Sequence, residues 1–123
     1  MGAIQMINVL VLSQHSPFDD LYIRDALDMT LIFAAVEQNI SWLFTGPAVL
    51  ALKKQQQPEH IGLKNYFKSI KTLEIYDVEN IYVCEKSLLE YGLDKNNLLV
   101  PVKALNYQQQ HHLISQQQQI VTL

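Results

Sequence analysis

Ile4 to Leu12 is almost unbroken in Ile, Val, Leu and Met, and no other stretch constrains the fold as tightly. A strand with one face in water alternates apolar and polar residues. A strand that is apolar on both sides needs cover on both faces, the situation inside a parallel sheet flanked by helices. The rest of the chain follows that rule. Turn chemistry over Ser13–Asp19 leads into a helix over Asp20–Gln38, with Asp19 or Asp20 placed to cap it. Ile23, Leu27, Leu31 and Ala34 form one apolar stripe on that helix; Met29, Ile32, Phe33 and Val36 form a second. Two stripes predict cover on two sides, by the sheet and by something else.

Ile40–Thr45 reads as the second strand, ended by Gly46-Pro47, and Ala48–Lys54 as a short helix. Leu63–Leu73 is amphipathic, with Leu63, Tyr66, Phe67 and Ile70 on one face and Lys64, Lys68 and Lys71 on another. Asn80–Cys84 is the third strand, followed by a helix over 85–91. Leu98–Leu105 is a fourth strand whose Pro101 suits an edge or a bulge. A Gln-rich helix over Asn106–Ser115 and a fifth strand over Gln119–Leu123 complete the pattern. The order β-α-β-α-α-β-α-β-α-β predicts one α/β domain over residues 1–123. Its architecture is a three-layer α/β/α sandwich around a five-stranded, mostly parallel sheet.

Composition narrows the function classes. A net charge of −3 gives no global attraction to nucleic acid. Lys53, Lys54, Lys64, Lys68 and Lys71 read as a solvated helix face in an acidic chain rather than a basic binding stripe. A single cysteine excludes an internal disulfide and any Cys-x-x-Cys pair, which fits a reducing cytoplasm. The N-terminus lacks signal-peptide features, and no apolar run approaches the roughly 18 residues of a membrane span. No phosphate-binding glycine motif supports a nucleotide cofactor. His111 and His112 are adjacent and diverge by about 100° on a helix, a poor pair of metal ligands. No cofactor and no metal are expected. With 49% hydrophobic residues, part of the apolar surface is available for subunit contacts.

Cys84 is the candidate catalytic residue. It ends the third strand and immediately precedes a helix, whose orphan N–H groups and positive dipole end favour a thiolate, the form that carries sulfur or attacks an electrophile. A buried cysteine acting as a small hydrophobe explains the same position. Glu85 would oppose ionisation by like-charge repulsion. In open α/β sheets ligands gather beyond the carboxyl ends of the strands. Ser13-Gln14-His15-Ser16, Thr45-Gly46-Pro47 and Cys84-Glu85 should meet there, and His15 approaches Cys84 if strands one and three are neighbours. Asp19, Asp20, Asp25 and Asp28 suit a helix start and need no catalytic role.

The block Gly62-Leu63-Lys64-Asn65-Tyr66, the run Leu73-Glu74-Ile75-Tyr76-Asp77-Val78-Glu79-Asn80-Ile81-Tyr82-Val83-Cys84-Glu85-Lys86-Ser87-Leu88 and the segment Tyr91-Gly92-Leu93 resemble the DsrE/DsrF-like family, within it the TusC (DsrF-type) branch. Arg24-Asp25-Ala26-Leu27-Asp28 is similar to the family's first helix. The resemblance implies a flavodoxin-like fold and a cytoplasmic sulfur relay. TusB-like, TusC-like and TusD-like subunits then form a dimer of heterotrimers, passing persulfide sulfur from a TusA-like donor toward a TusE-like acceptor for 2-thiolation of the tRNA wobble uridine. It also implies that Cys84 occupies the position of the sulfur-accepting cysteine of TusD-type subunits, although the TusC-type subunit is not generally the one with the essential thiol. Direct contact with nucleic acid is not expected. The alternatives are a homo-oligomeric sulfurtransferase, or a DsrEFH-like sulfur-oxidation protein, with Cys84 as persulfide carrier. Similar proteins often carry a Gly-Asp-Gly-like turn where this chain has Thr45-Gly46-Pro47-Ala48, so no role for an acidic residue transfers there.

Overall fold

The computed structural model describes residues 6–19, 21–54 and 70–123. Five strands, β1 (Asn8–Ser13), β2 (Asn39–Phe44), β3 (Ile81–Cys84), β4 (Lys103–Leu105) and β5 (Gln119–Thr122), form one sheet in the order β4-β3-β2-β1-β5. Every pairing is parallel. Among the described residues three α-helices accompany them: α1 (Tyr22–Ala35), α2 (Glu85–Glu90) and α3 (Tyr107–Ser115).

This order explains how the layers are filled. The connections β1→β2, β2→β3 and β3→β4 all step in one direction across the sheet, so right-handed crossovers put them on one face. The step β4→β5 runs back to the far edge and puts α3 on the opposite face. Packing agrees. Val9, Val11, Trp42, Phe44, Ile81 and Val83 share a core with Ile23, Ala26 and Leu27 of α1 and with Ala48–Leu52. The alternate residues Leu10, Leu43 and Cys84 are buried on the other face. Trp42, wholly inside the core, donates its indole N–H to Ser13 Oγ at 2.9 Å, so the polar end of a large apolar ring is satisfied.

The ends of the elements depart from the pattern read in the sequence. The first strand starts at Asn8; positions 4 and 5 lie outside the described residues. The N-cap of α1 is Leu21, without a side-chain cap, and Asp20 is not among the described residues. Asp19 instead joins a turn in which its N–H donates to the Ser16 carbonyl at 3.0 Å. The Ala48–Lys54 helix is a 3-10 helix over Gly46–Leu52. Of the Leu63–Leu73 helix, residues 63–69 lie outside the described chain, and Lys71–Glu74 is a 3-10 turn. The fourth strand shrinks to Lys103–Leu105 and occupies an edge, consistent with Pro101. Leu98 makes only an isolated antiparallel bridge to Lys53. The second stripe of α1 divides: Met29 and Phe33 pack against the core, while Ile32 and Val36 are 58% and 53% exposed among the described residues.

Candidate functional site

Cys84 is the N-cap of α2 and the register partner of Leu105 on β4. It is 3% exposed. Burial alone would push its pKa up, because a thiolate loses hydration in the interior. Four donors outweigh that: the Ser87 hydroxyl, the Ser87 N–H, the Gln110 side-chain amide and the Lys86 N–H, which together hold the thiol below its ordinary value. Local geometry explains the cluster. Ser87 is the third residue of α2, where both the N–H and a short hydroxyl turn back toward the cap. Its Oγ accepts a hydrogen bond from the Gly46 N–H at 2.8 Å, which leaves the hydroxyl proton free to point at sulfur.

Gln110 comes from the opposite layer. It is buried on α3, and its Nε2 donates to the Leu105 carbonyl at 3.0 Å, so one amide group bridges β4 and the thiol. The position of α3 is set by a capping box, in which Asn106 accepts from the Gln109 N–H and Gln109 Oε1 accepts from the Asn106 N–H, both at 2.8 Å. A cavity of about 480 Å³ adjoins this face, lined by Tyr82, Leu105, Gln109, His112 and Leu113 among others. Tyr82 lies two residues before Cys84 and Leu105 pairs with it, so the cavity and the thiol share one side of β3–β4. Lys86 stands 5.9 Å from the Tyr107 ring centroid at the same end.

One expectation is corrected here. β1 and β3 are not neighbours, because β2 lies between them. His15 stacks on Tyr22 with ring centroids 4.0 Å apart and takes no part in the Cys84 hydrogen bonds. Of the lysine stripe, Lys53, Lys54 and Lys71 are exposed, while Lys64 and Lys68 lie outside the described residues. Among the described residues no group of three His, Cys, Asp or Glu side chains could hold a metal ion, and no helix is long and apolar enough to cross a membrane. The Gly46 turn meets the Cys84 end of β3 as its place after the second strand implied, whereas sequence reasoning missed Ser87 and Gln110. The Cys-x-x-Ser spacing carried a signal for Ser87. Gln110 carried none, since one glutamine among several in a polar helix looks like any other.

The DsrE/DsrF-like family profile matches residues 8–123. The chain is 41% identical over 83 residues to Protein TusC of Buchnera aphidicola subsp. Acyrthosiphon pisum, covering 68% of this chain and 70% of that protein. It is 33% identical over 108 residues to a TusC homolog of Aliivibrio fischeri, covering 88% and 92%. Its fold superposes on the crystal structure of the E. coli ychN protein with a TM-score of 0.82 at 14% identity, over 96% of this chain and 100% of that one. From its first described strand to its last residue, the chain belongs to the DsrE/DsrF-like family.

Proposed function

We propose that this protein is a TusC-like subunit of a cytoplasmic sulfur-relay complex that serves 2-thiolation of the tRNA wobble uridine, assembled with TusB-like and TusD-like subunits. The observation that carries this reading is the 41% identity to a protein named TusC. Exposed apolar side chains, Ile32 on α1, Val36 at its C-cap and Leu89 on α2, support a chain that works against neighbours. The acidic balance of the chain supports a role without direct tRNA contact.

The same site supports a second reading, in which Cys84 itself carries sulfur. Its thiolate would attack the outer sulfur of a donor persulfide. A new S–S bond forms on Cys84, the donor's S–S bond breaks, and the donor leaves as a thiolate, with no oxidant consumed. The hydrogen-bond donors around Cys84 favour it. Its burial favours the first reading, in which a partner supplies the working thiol.

Native mass spectrometry of the tagged protein isolated from its own host separates the two. The relay reading expects two further small subunits in equal stoichiometry, in a dimer of heterotrimers. A homo-oligomer alone, bearing persulfide that is lost in Cys84→Ala, would replace it with the second reading.

A further inference from the structure

At the amino ends of the strands, the pole opposite Cys84, the run Leu73-Glu74-Ile75-Tyr76-Asp77-Val78-Glu79 forms a tight turn. The Val78 N–H donates to the Leu73 carbonyl at 2.9 Å and the Asp77 N–H to the Glu74 carbonyl at 3.3 Å, with Asp77 at φ +56°. This is a Schellman motif, with buried Leu73 and Val78 as its apolar contact. Anchoring both legs in the core fixes the tip, and the tip holds Ile75 and Tyr76, 77% and 54% exposed. Large apolar side chains displayed on a rigid turn suit an interface rather than a loop.

Beside the tip lies a recess of about 210 Å³. Buried Val78, Ile81 and Val100 contribute its apolar lining, and the exposed residues Glu74, Asp77 and Glu79 contribute carboxylates. An apolar floor with carboxylates at the rim matches a lysine or arginine side chain, which buries its stem and keeps its charge at the mouth. Residues 71–80 contain those three acids and one base, exposed Lys71 at the start of the turn, for a net charge of −2. Nucleic acid is repelled by such a surface, and a second copy of this chain would bring the same carboxylates face to face. We infer that this turn and recess are the docking surface for a different protein subunit, one that inserts a lysine or arginine beside the apolar tip. The inference rests on the hetero-oligomer reading above and gives one of its contacts a place. It also leaves the Cys84 pole uncovered by that partner.

The test is co-expression of the parent and of two variants, Ile75→Ser and Glu74→Gln/Glu79→Gln, with the TusB-like and TusD-like subunits of the same organism. Complex formation is then titrated at about 0.05 M and about 0.5 M salt, conditions that separate screened from unscreened charge. All three side chains are exposed, so the isolated variants should keep the parent's unfolding midpoint. Ile75→Ser should weaken assembly about tenfold or more at both salts, as loss of an interface anchor does. The charge variant should weaken it mainly at low salt. If the parent assembles and both variants assemble equally well, the docking surface is wrong while the relay reading stands. If the parent itself fails to assemble, both fall.

Discussion

Cys84 takes its character from neighbours that the fold brings to it, and Ser87 is the most informative of them. Its oxygen accepts from Gly46 while its hydroxyl and N–H donate to sulfur. Ser87→Ala should raise the pH at which the thiolate absorbs in the ultraviolet. It should also cost about 1–3 kcal/mol of stability, because the Gly46 N–H is left without its acceptor. The pH dependence of folding has a defined sign. The folded thiol releases its proton at a lower pH than the unfolded one, so the unfolded state binds more protons between the two values. The contribution of Cys84 is complete above the ordinary thiol value of about 8.5 and disappears as pH falls through the depressed folded value. Urea titrations across that window should show a rise with pH in the parent that is flattened in Cys84→Ala. The place of the thiol, at the end of a strand and the start of a helix, could be read from the sequence. The Cys-x-x-Ser spacing hinted at Ser87, but its hydrogen bond from Gly46, 41 residues away, and the arrival of Gln110 from the other side of the sheet were not legible.

At the scale of the elements, three turns end in the same way. Gly92, at φ +67°, closes α2, with the Leu93 N–H donating to the Leu88 carbonyl at 2.9 Å. Glu37, at φ +60°, closes α1 with the Gln38 N–H donating to the Phe33 carbonyl at 3.0 Å, and Asp77 does the same before β3. A left-handed conformation costs a side-chain-bearing residue roughly 1–2 kcal/mol, partly offset by the greater unfolded-state freedom of glycine. Glu37→Gly should therefore stabilise the chain by about 0.5–1 kcal/mol, seen as a higher urea midpoint with an unchanged slope. Gly92 announced its turn in the sequence. Glu37 and Asp77 did not, because neither residue type marks a left-handed position as glycine does.

For the whole molecule, the two faces of the sheet are unequal. One carries α1, α2 and the Gly46–Leu52 turn over a continuous core. On the other, α3 is the helix among the described residues, and Gln110 is its only buried residue. The helix is anchored by its capping box and by polar contacts more than by apolar burial, so it should open without global unfolding. Amide hydrogen exchange should find α3 exchanging faster than β1 and β2 at the same pH. Equal protection throughout would show instead that α3 unfolds only with the core. Such opening would also expose the Cys84 thiol, which is 3% exposed in the closed structure.

The sequence by itself determined the number of strands, their succession along the chain, their parallel arrangement and the edge position of the proline-bearing one, because continuous apolar runs and helical periodicity are local properties of the chain. It also marked Cys84. Tertiary structure decided the strand order, which removed His15 from the thiol, and the pairing of Ser87 with Gly46. It decided as well that Ile32 and Val36 of the second stripe would stay exposed while Met29 and Phe33 pack on the core, and that Ile75 and Tyr76 would be carried outward on a rigid turn. These depend on contacts between residues far apart in the chain, and local periodicity carries no information about which distant surfaces will meet.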